Sequence, residues 1–237
     1  MTDYSALLST IPAIRHGFGN KSTLLPTDLQ HYRDTQPEKK QVHGTRIVDV
    51  SHPAQPCGDA DGVYTTQPGI LLSVLTADCL PVIFSRRDGS AIAAVHAGWR
   101  GLLDGMLERM AARIEQDDST ANWVAAIGPA AGACCYQVNQ ELVELFQQRL
   151  SLPAELISPH TRHLDLTAIA KGQLHNLGFA AVDDAGSCTI CTLNRDPQQP
   201  QRFKYTSFRR NSQRRAQDPA HPGIKGRNQY AGIIITG

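Results

Sequence analysis

The sequence has no apolar run near the roughly 18 consecutive residues that cross a bilayer, which argues against a membrane-spanning helix and a membrane partner. It also lacks an excess of either charge: 23 Lys and Arg against 22 Asp and Glu leave a formal net charge of +1. A surface built throughout for nucleic acid is strongly basic, so no nucleic-acid partner is expected. The opening Met1-Thr2-Asp3-Tyr4 shows no basic segment, apolar core or cleavage site, so the expectation is no secretory signal and a cytoplasmic location. Methionine is scarce. Besides Met1, only Met106 and Met110 occur, both on the apolar face of a predicted helix, which leaves no axial ligand for a blue-copper centre. The nine histidines include no His-x-His pair to build a multinuclear copper cluster. No His-x-Glu or Pro-Cys-x-x-Cys occurs, so the zinc cytidine-deaminase signature is missing.

What is present is ordinary for a globular protein: 41% hydrophobic and 19% charged residues over 237 positions. No internal repeat or long linker divides them, so one mixed α/β domain over residues 1–237 is expected. A fold of this size buries roughly 70–75% of the surface its unfolded chain exposes and needs no disulfide staples. The six cysteines therefore read as reduced thiols or metal ligands.

The chain is organised around residues 69–101. Three short apolar runs (Ile70–Leu75, Leu80–Phe84 and Ala91–Val95) are bounded by turn residues and have the near-continuous apolarity of strands buried on both faces. Thr76-Ala77-Asp78-Cys79 joins the first to the second, and the third delivers His96-Ala97-Gly98-Trp99-Arg100-Gly101. Further strands are expected at residues 46–50, 62–66, 122–128, 179–182 and 230–235. Helical spacing predicts helices over 103–114 and 140–150, and a third through Leu177 with Asp165 as N-cap and Gly178 at C′. Residues 25–40 are polar with two prolines and read as a surface loop or a short helix, and residues 53–61 as a loop.

Cys79 and His96 stand at strand ends, and thiol and imidazole bind borderline divalent metals well. Buried strand-end packing accounts for that pair equally well. His43, in a Gln-Val-His-Gly turn beside a strand, would complete a two-His, one-Cys set. Three protein ligands and an open position are the layout of a catalytic zinc site. Cys188-x-x-Cys191 is a single pair that fits a redox couple, half of a metal knuckle or two thiols in a turn, the last being favoured. Of the adjacent Cys134 and Cys135, one is expected to pack inward and the other to face a cleft. Residues 202–227 hold eight basic residues against Asp218 alone and read as a solvated loop. Folded over the cleft, its arginines would bind a phosphate bidentately. Arg100, near a helix start, is a second anion candidate.

These elements resemble the YfiH family, also called the laccase-domain or polyphenol oxidase family. The matching motifs run in order along nearly the whole chain: His16-Gly17-Phe18, Gln41-Val42-His43-Gly44, Ala60-Asp61-Gly62 and Thr76 through Val82. They continue through His96 to Gly101, Ile127-Gly128-Pro129, Cys134-Cys135-Tyr136, Cys188-Thr189-x-Cys191, Ser207-Phe208-Arg209-Arg210 and Gly226-Arg227. The resemblance implies a layered α/β/β/α-type sandwich with mixed buried sheets, and a zinc site of His43, Cys79 and His96 that could also hold copper. It implies phosphorolysis of purine nucleosides (adenosine, inosine, guanosine, methylthioadenosine) and deamination of adenosine, by a monomer or homodimer. The rival functions that travel with the family are copper-dependent polyphenol oxidation and peptidoglycan-precursor editing, the latter with Cys79 as nucleophile. Asp78, Cys79 and Arg100 are the catalytic candidates. His16, Lys21, Arg209, Arg210 and Arg227 are those for substrate or phosphate. Lys21 stands where the family usually carries arginine, Gln137 where it commonly carries glutamate, and the tail over 213–222 is longer than usual.

Overall fold

The computed structural model describes residues 2–195, 198 and 202–237; Met1 lies outside them. Its strands are β1 (Ile14–Phe18), β2 (Glu38–Lys40), β3 (Ile47–Asp49), β4 (Pro56–Asp59), β5 (Gly62–Thr65) and β6 (Leu72–Thr76). They continue with β7 (Leu80–Arg86), β8 (Ile92–Ala97), β9 (Trp123–Ile127), β10 (Ala181–Asp184) and β11 (Gln229–Ile235). The helices are α1 (Trp99–Leu103), α2 (Met106–Ile114), α3 (Gln140–Arg149), α4 (Ala154–Ile157), α5 (Leu166–Asn176) and α6 (Phe208–Gln217).

A six-stranded mixed sheet runs β10-β9-β7-β8-β5-β3, and a three-stranded antiparallel sheet runs β1-β11-β6. The two stack face to face on Phe18, Leu72, Val74, Ile83, Ala94 and Ile233. The opposite face of the larger sheet packs its alternate residues, Val82, Phe84 and Val95, against Leu107, Met110, Ile169 and Leu174 of α2 and α5. Both faces of β7 and β8 are thus buried, which is why those strands read as unbroken apolar runs rather than alternating ones. A 3-10 helix, Thr27–Thr35, covers the outer face of the small sheet through Leu29, which packs with Leu71 and Ile234. The order of layers is the α/β/β/α-type sandwich that the family resemblance implies.

Several elements depart from the sequence reading. The helix expected over 103–114 is broken at Gly105, whose φ of 84° belongs to neither flanking helix, giving α1 and α2. The strand expected at 179–182 lies two residues later, at Ala181–Asp184. Segment 53–61, read as a loop, contains β4, which pairs in parallel with the short, charged β2. The basic segment read as a loop contains α6, which buries no residue and starts from a built cap: Ser207 Oγ accepts the Arg210 amide at 3.1 Å. Among the described residues, no helix is long and apolar enough to cross a membrane.

Candidate functional site

Antiparallel pairing brings the first two donors together. β7 and β8 align Leu80 with Ala97 and Pro81 with His96, so the residue entering β7, Cys79, meets the end of β8. The third donor arrives through Asp61, just before β5, which lies beside β8. The Asp61 carbonyl accepts the His96 amide at 2.7 Å. Its carboxylate accepts the backbone amides of Val42, His43 and Gly44 at 3.0, 3.1 and 2.9 Å. One buried carboxylate therefore folds the 42–44 turn over the strand ends. His43 there takes φ 60°, a left-handed conformation a side chain accepts only when its surroundings fix it.

The donor atoms of His43, Cys79 and His96 lie within 4.8 Å of one another. Asp61 also sets the ring of His96: Nδ1 sits 2.7 Å from its Oδ1, and because an ionised carboxylate only accepts, Nδ1 carries the proton and Nε2 remains as the donor atom. Burial raises the Asp61 pKa, but hydrogen bonds from His96 and from the Val42 and Gly44 amides outweigh it and hold the carboxyl below its usual range. Burial, then the neighbouring His96, lowers His43, favouring the neutral imidazole a metal needs. Burial, then the charges of Asp78 and Asp61, pushes the Cys79 thiol up to about 12. A divalent cation reverses that balance by taking the thiolate directly. Gly98 leaves room for the set: a Cβ there would stand 3.1 Å from Cys79 Sγ and 3.3 Å from His43 Cδ2. The donor types, their convergence and the oriented ring fit a three-ligand metal site.

The set opens into a cleft of about 960 Å³, within the range of small-molecule sites, roughly 300–1,000 Å³. Trp99, Tyr136, Phe208 and Tyr230 supply aromatic lining, and Arg100, Arg209 and Lys39 supply positive charge. Arg100 also stacks on Trp99, its guanidinium 4.8 Å from the ring centroid. Arg209 donates to the Gln137 carbonyl at 2.7 Å and lies over the Tyr136 ring.

Other expected site residues sit elsewhere or act differently. Asp78 lines the cleft, but both carboxylate oxygens are taken. Oδ1 accepts from Thr189 Oγ1 at 2.6 Å, and Oδ2 from Ser207 Oγ at 3.0 Å and the Arg209 amide at 2.7 Å. It caps α6 and fixes the cleft wall from a strained backbone at φ 98°. His16 is buried in β1 away from the lining, and its Nε2 accepts the Ser5 amide at 3.0 Å. Arg210 turns inward and donates to the carbonyls of Thr189, Ile190 and Tyr205. Arg227 donates to the Pro222 and Gly223 carbonyls, and neither it, Arg210 nor Lys21 lines the cleft.

The sequence reading missed three contributors. Asp61 appeared there only inside a motif. Gln41 anchors its loop to β6 by exchanging two 2.8 Å hydrogen bonds with the Leu75 backbone. Lys39, lost in a polar stretch, faces the cleft, and burial, partly offset by Asp61, lowers its pKa to about 8.

Comparison with known proteins gives the family and the fold. A family model described as "Multi-copper polyphenol oxidoreductase laccase" matches residues 23–215. A "Purine nucleoside phosphorylase" of Haemophilus influenzae is 34% identical over 178 residues, covering 73% of this chain and 68% of that protein. "Purine nucleoside phosphorylase YfiH" of Escherichia coli is 34% identical over 155 residues, 63% of this chain and 62% of its own. The matched segments thus span about two thirds of those relatives. The crystal structure of Bacillus licheniformis hypothetical protein YfiH superposes with a TM-score of 0.73 at 21% identity, covering 94% of this chain and 92% of that one, a likeness of fold. The chain belongs to the family described as multi-copper polyphenol oxidoreductase laccase, the family of the YfiH proteins.

Proposed function

We propose that the cleft is the active site of a metal-dependent purine nucleoside phosphorylase, acting on adenosine, inosine, guanosine or methylthioadenosine and also deaminating adenosine. The observation that carries this reading is the convergence of His43, Cys79 and His96 at the floor of a cleft with aromatic and cationic walls. His43, Cys79 and His96 would hold zinc, which in such a site acts as a Lewis acid and lowers the pKa of water.

The chain's own residues supply the rest. Aromatic faces at Trp99, Tyr136, Phe208 and Tyr230 suit a purine ring, whose planar apolar body needs large complementary area. Arg209 and Arg100 suit a phosphate, with several N–H donors each in a planar fork. Lys39 adds a third cation, its pKa lowered by burial to about 8. Asp78 is a positioning residue here: it fixes the start of α6, from which Phe208 and Arg209 reach the cleft.

Among the described residues, the one donor set that contains imidazole is His43, Cys79 and His96. That supports a mononuclear centre rather than several redox-active coppers, and copper in this same set would account for oxidase activity. An editing amidase would need Cys79 as a free thiolate, yet burial and the charges of Asp78 and Asp61 push the thiol up to about 12. The six thiols, all unpaired in the structure, suit a reducing cytoplasm.

The test is chromatographic: the metal-loaded protein is incubated with each nucleoside, with and without phosphate. Phosphate-dependent release of free base, lost in Cys79→Ala, is expected. No base release from any purine nucleoside would overturn the reading.

A further inference from the structure

A second convergence lies outside the cleft. β9 and β10 are parallel neighbours, and their ladder continues beyond both strands: Ala130 bridges to Cys188, with the Thr189 amide donating to the Ala130 carbonyl at 2.9 Å. The two loops leaving the sheet therefore stay in register. One turns at Gly132, whose carbonyl accepts the amides of Cys135 and Tyr136, and presents Cys134 and Cys135. The other is the Cys188-Thr189-Ile190-Cys191 turn. The four sulfurs lie within 4.8 Å of one another, with Cys134 Sγ and Cys191 Sγ 3.6 Å apart.

Around one tetrahedral ion with metal–sulfur bonds of about 2.3 Å, sulfurs stand about 3.8 Å apart, close to the spacing seen. A disulfide needs about 2.0 Å. In an iron–sulfur cube each thiolate has its own iron, which spreads the sulfurs farther apart. The surroundings suit an anionic centre. The Gly132 amide donates to Cys188 Sγ at 3.3 Å, and Arg210 donates to both carbonyls between the two knuckle cysteines.

We propose that Cys134, Cys135, Cys188 and Cys191 form a second metal site that takes one zinc ion as a tetrathiolate, structural rather than catalytic. The four thiols release their protons on binding, and all four positions on the metal are then filled by protein. The ion staples the loop that places Tyr136 in the cleft wall to the turn whose Thr189 holds Asp78. The proposal is independent of the cleft's chemistry.

The test uses the full chain carrying His43→Ala and Cys79→Ser, which removes the cleft set. After gel filtration over chelating resin, one zinc per chain is expected to remain. Cobalt reconstitution should give the intense thiolate charge-transfer and tetrahedral bands of a four-sulfur site. Adding Cys188→Ser and Cys191→Ser should abolish both. Zinc-free chain, a disulfide among the four in protein kept under thiol reductant, or iron with inorganic sulfide would each overturn the proposal. If the quadruple variant does not fold, alkylation of the wild-type protein decides. Cys134 and Cys191 are exposed, so burial does not shield them. Slow labelling that becomes fast after chelation supports the site; fast labelling of the as-isolated protein refutes it.

Discussion

Two buried histidines, His16 and His96, stand on strands of the two stacked sheets and are 5% and 3% exposed. At His96 the proton sits on Nδ1, facing Asp61, and Nε2 is left for a ligand. At His16 Nε2 is spent on the Ser5 amide, and the ring packs edge-on against Tyr4. Burial and residue type are alike in the two; the partner of one ring nitrogen separates a ligand from a packing residue.

The sharpest way to break that contrast is to delete each ring. His96→Ala is expected to lose the cleft metal and with it all phosphate-dependent base release. His16→Gln, whose amide oxygen can still accept from Ser5, should keep both. Metal content and turnover on the same preparations decide it, and loss of cleft metal in His16→Gln would erase the distinction.

The next largest effect is on stability. Burial lowers the His16 pKa to about 4, whereas the unfolded chain takes the proton near pH 6.5. Between those values the unfolded state binds more protons, so stability rises with pH across that window. The contribution is complete above about pH 6.5 and lost as pH falls towards 4, about 3 kcal/mol in all. Urea unfolding of metal-free protein at several pH values should show that loss in the wild type and a flatter profile in His16→Gln.

Asp61→Asn probes the other ring. An amide in that place can present NH₂ to the ring and releases the tautomer, so cleft metal affinity should fall about 10–100-fold. Competition with a chelating dye measures it. The 42–44 turn also loses its charged acceptor, so a lower melting temperature should accompany the weaker binding.

How much of this was legible in the sequence follows from what pattern encodes. β7, β8, β9 and α5 stood out because apolar runs and caps are local signals. β2 and β4 did not, being three and four residues long with only Cys57 reaching the core, too short for a pattern to show. α6 was hidden because it buries no apolar side chain and so has no apolar stripe. At the site, His43, Cys79 and His96 were legible as candidate donors by residue type, two of them at strand ends and His43 in a turn. Asp61 was not, since accepting three backbone amides leaves no pattern in the sequence. The four thiols were visible as two unrelated pairs, and only the parallel register of β9 and β10 joins them.

The arginines repeat the lesson at smaller scale. Arg209 and Arg210 are adjacent on α6, and residue type alone marks both as phosphate ligands. Successive helical residues point about 100° apart, however, and here one faces the cleft while the other faces the thiol turn. Arg209→Ala is therefore expected to raise KM for phosphate about tenfold, the equivalent of about 1.4 kcal/mol, with little change in melting temperature. Arg210→Ala leaves three carbonyls without their donor and should lower the melting temperature while KM for phosphate stays where it was. Initial rates against phosphate, paired with thermal melts, separate the two. A raised KM in Arg210→Ala without destabilisation would mean that the inward-facing guanidinium swings out to bind substrate.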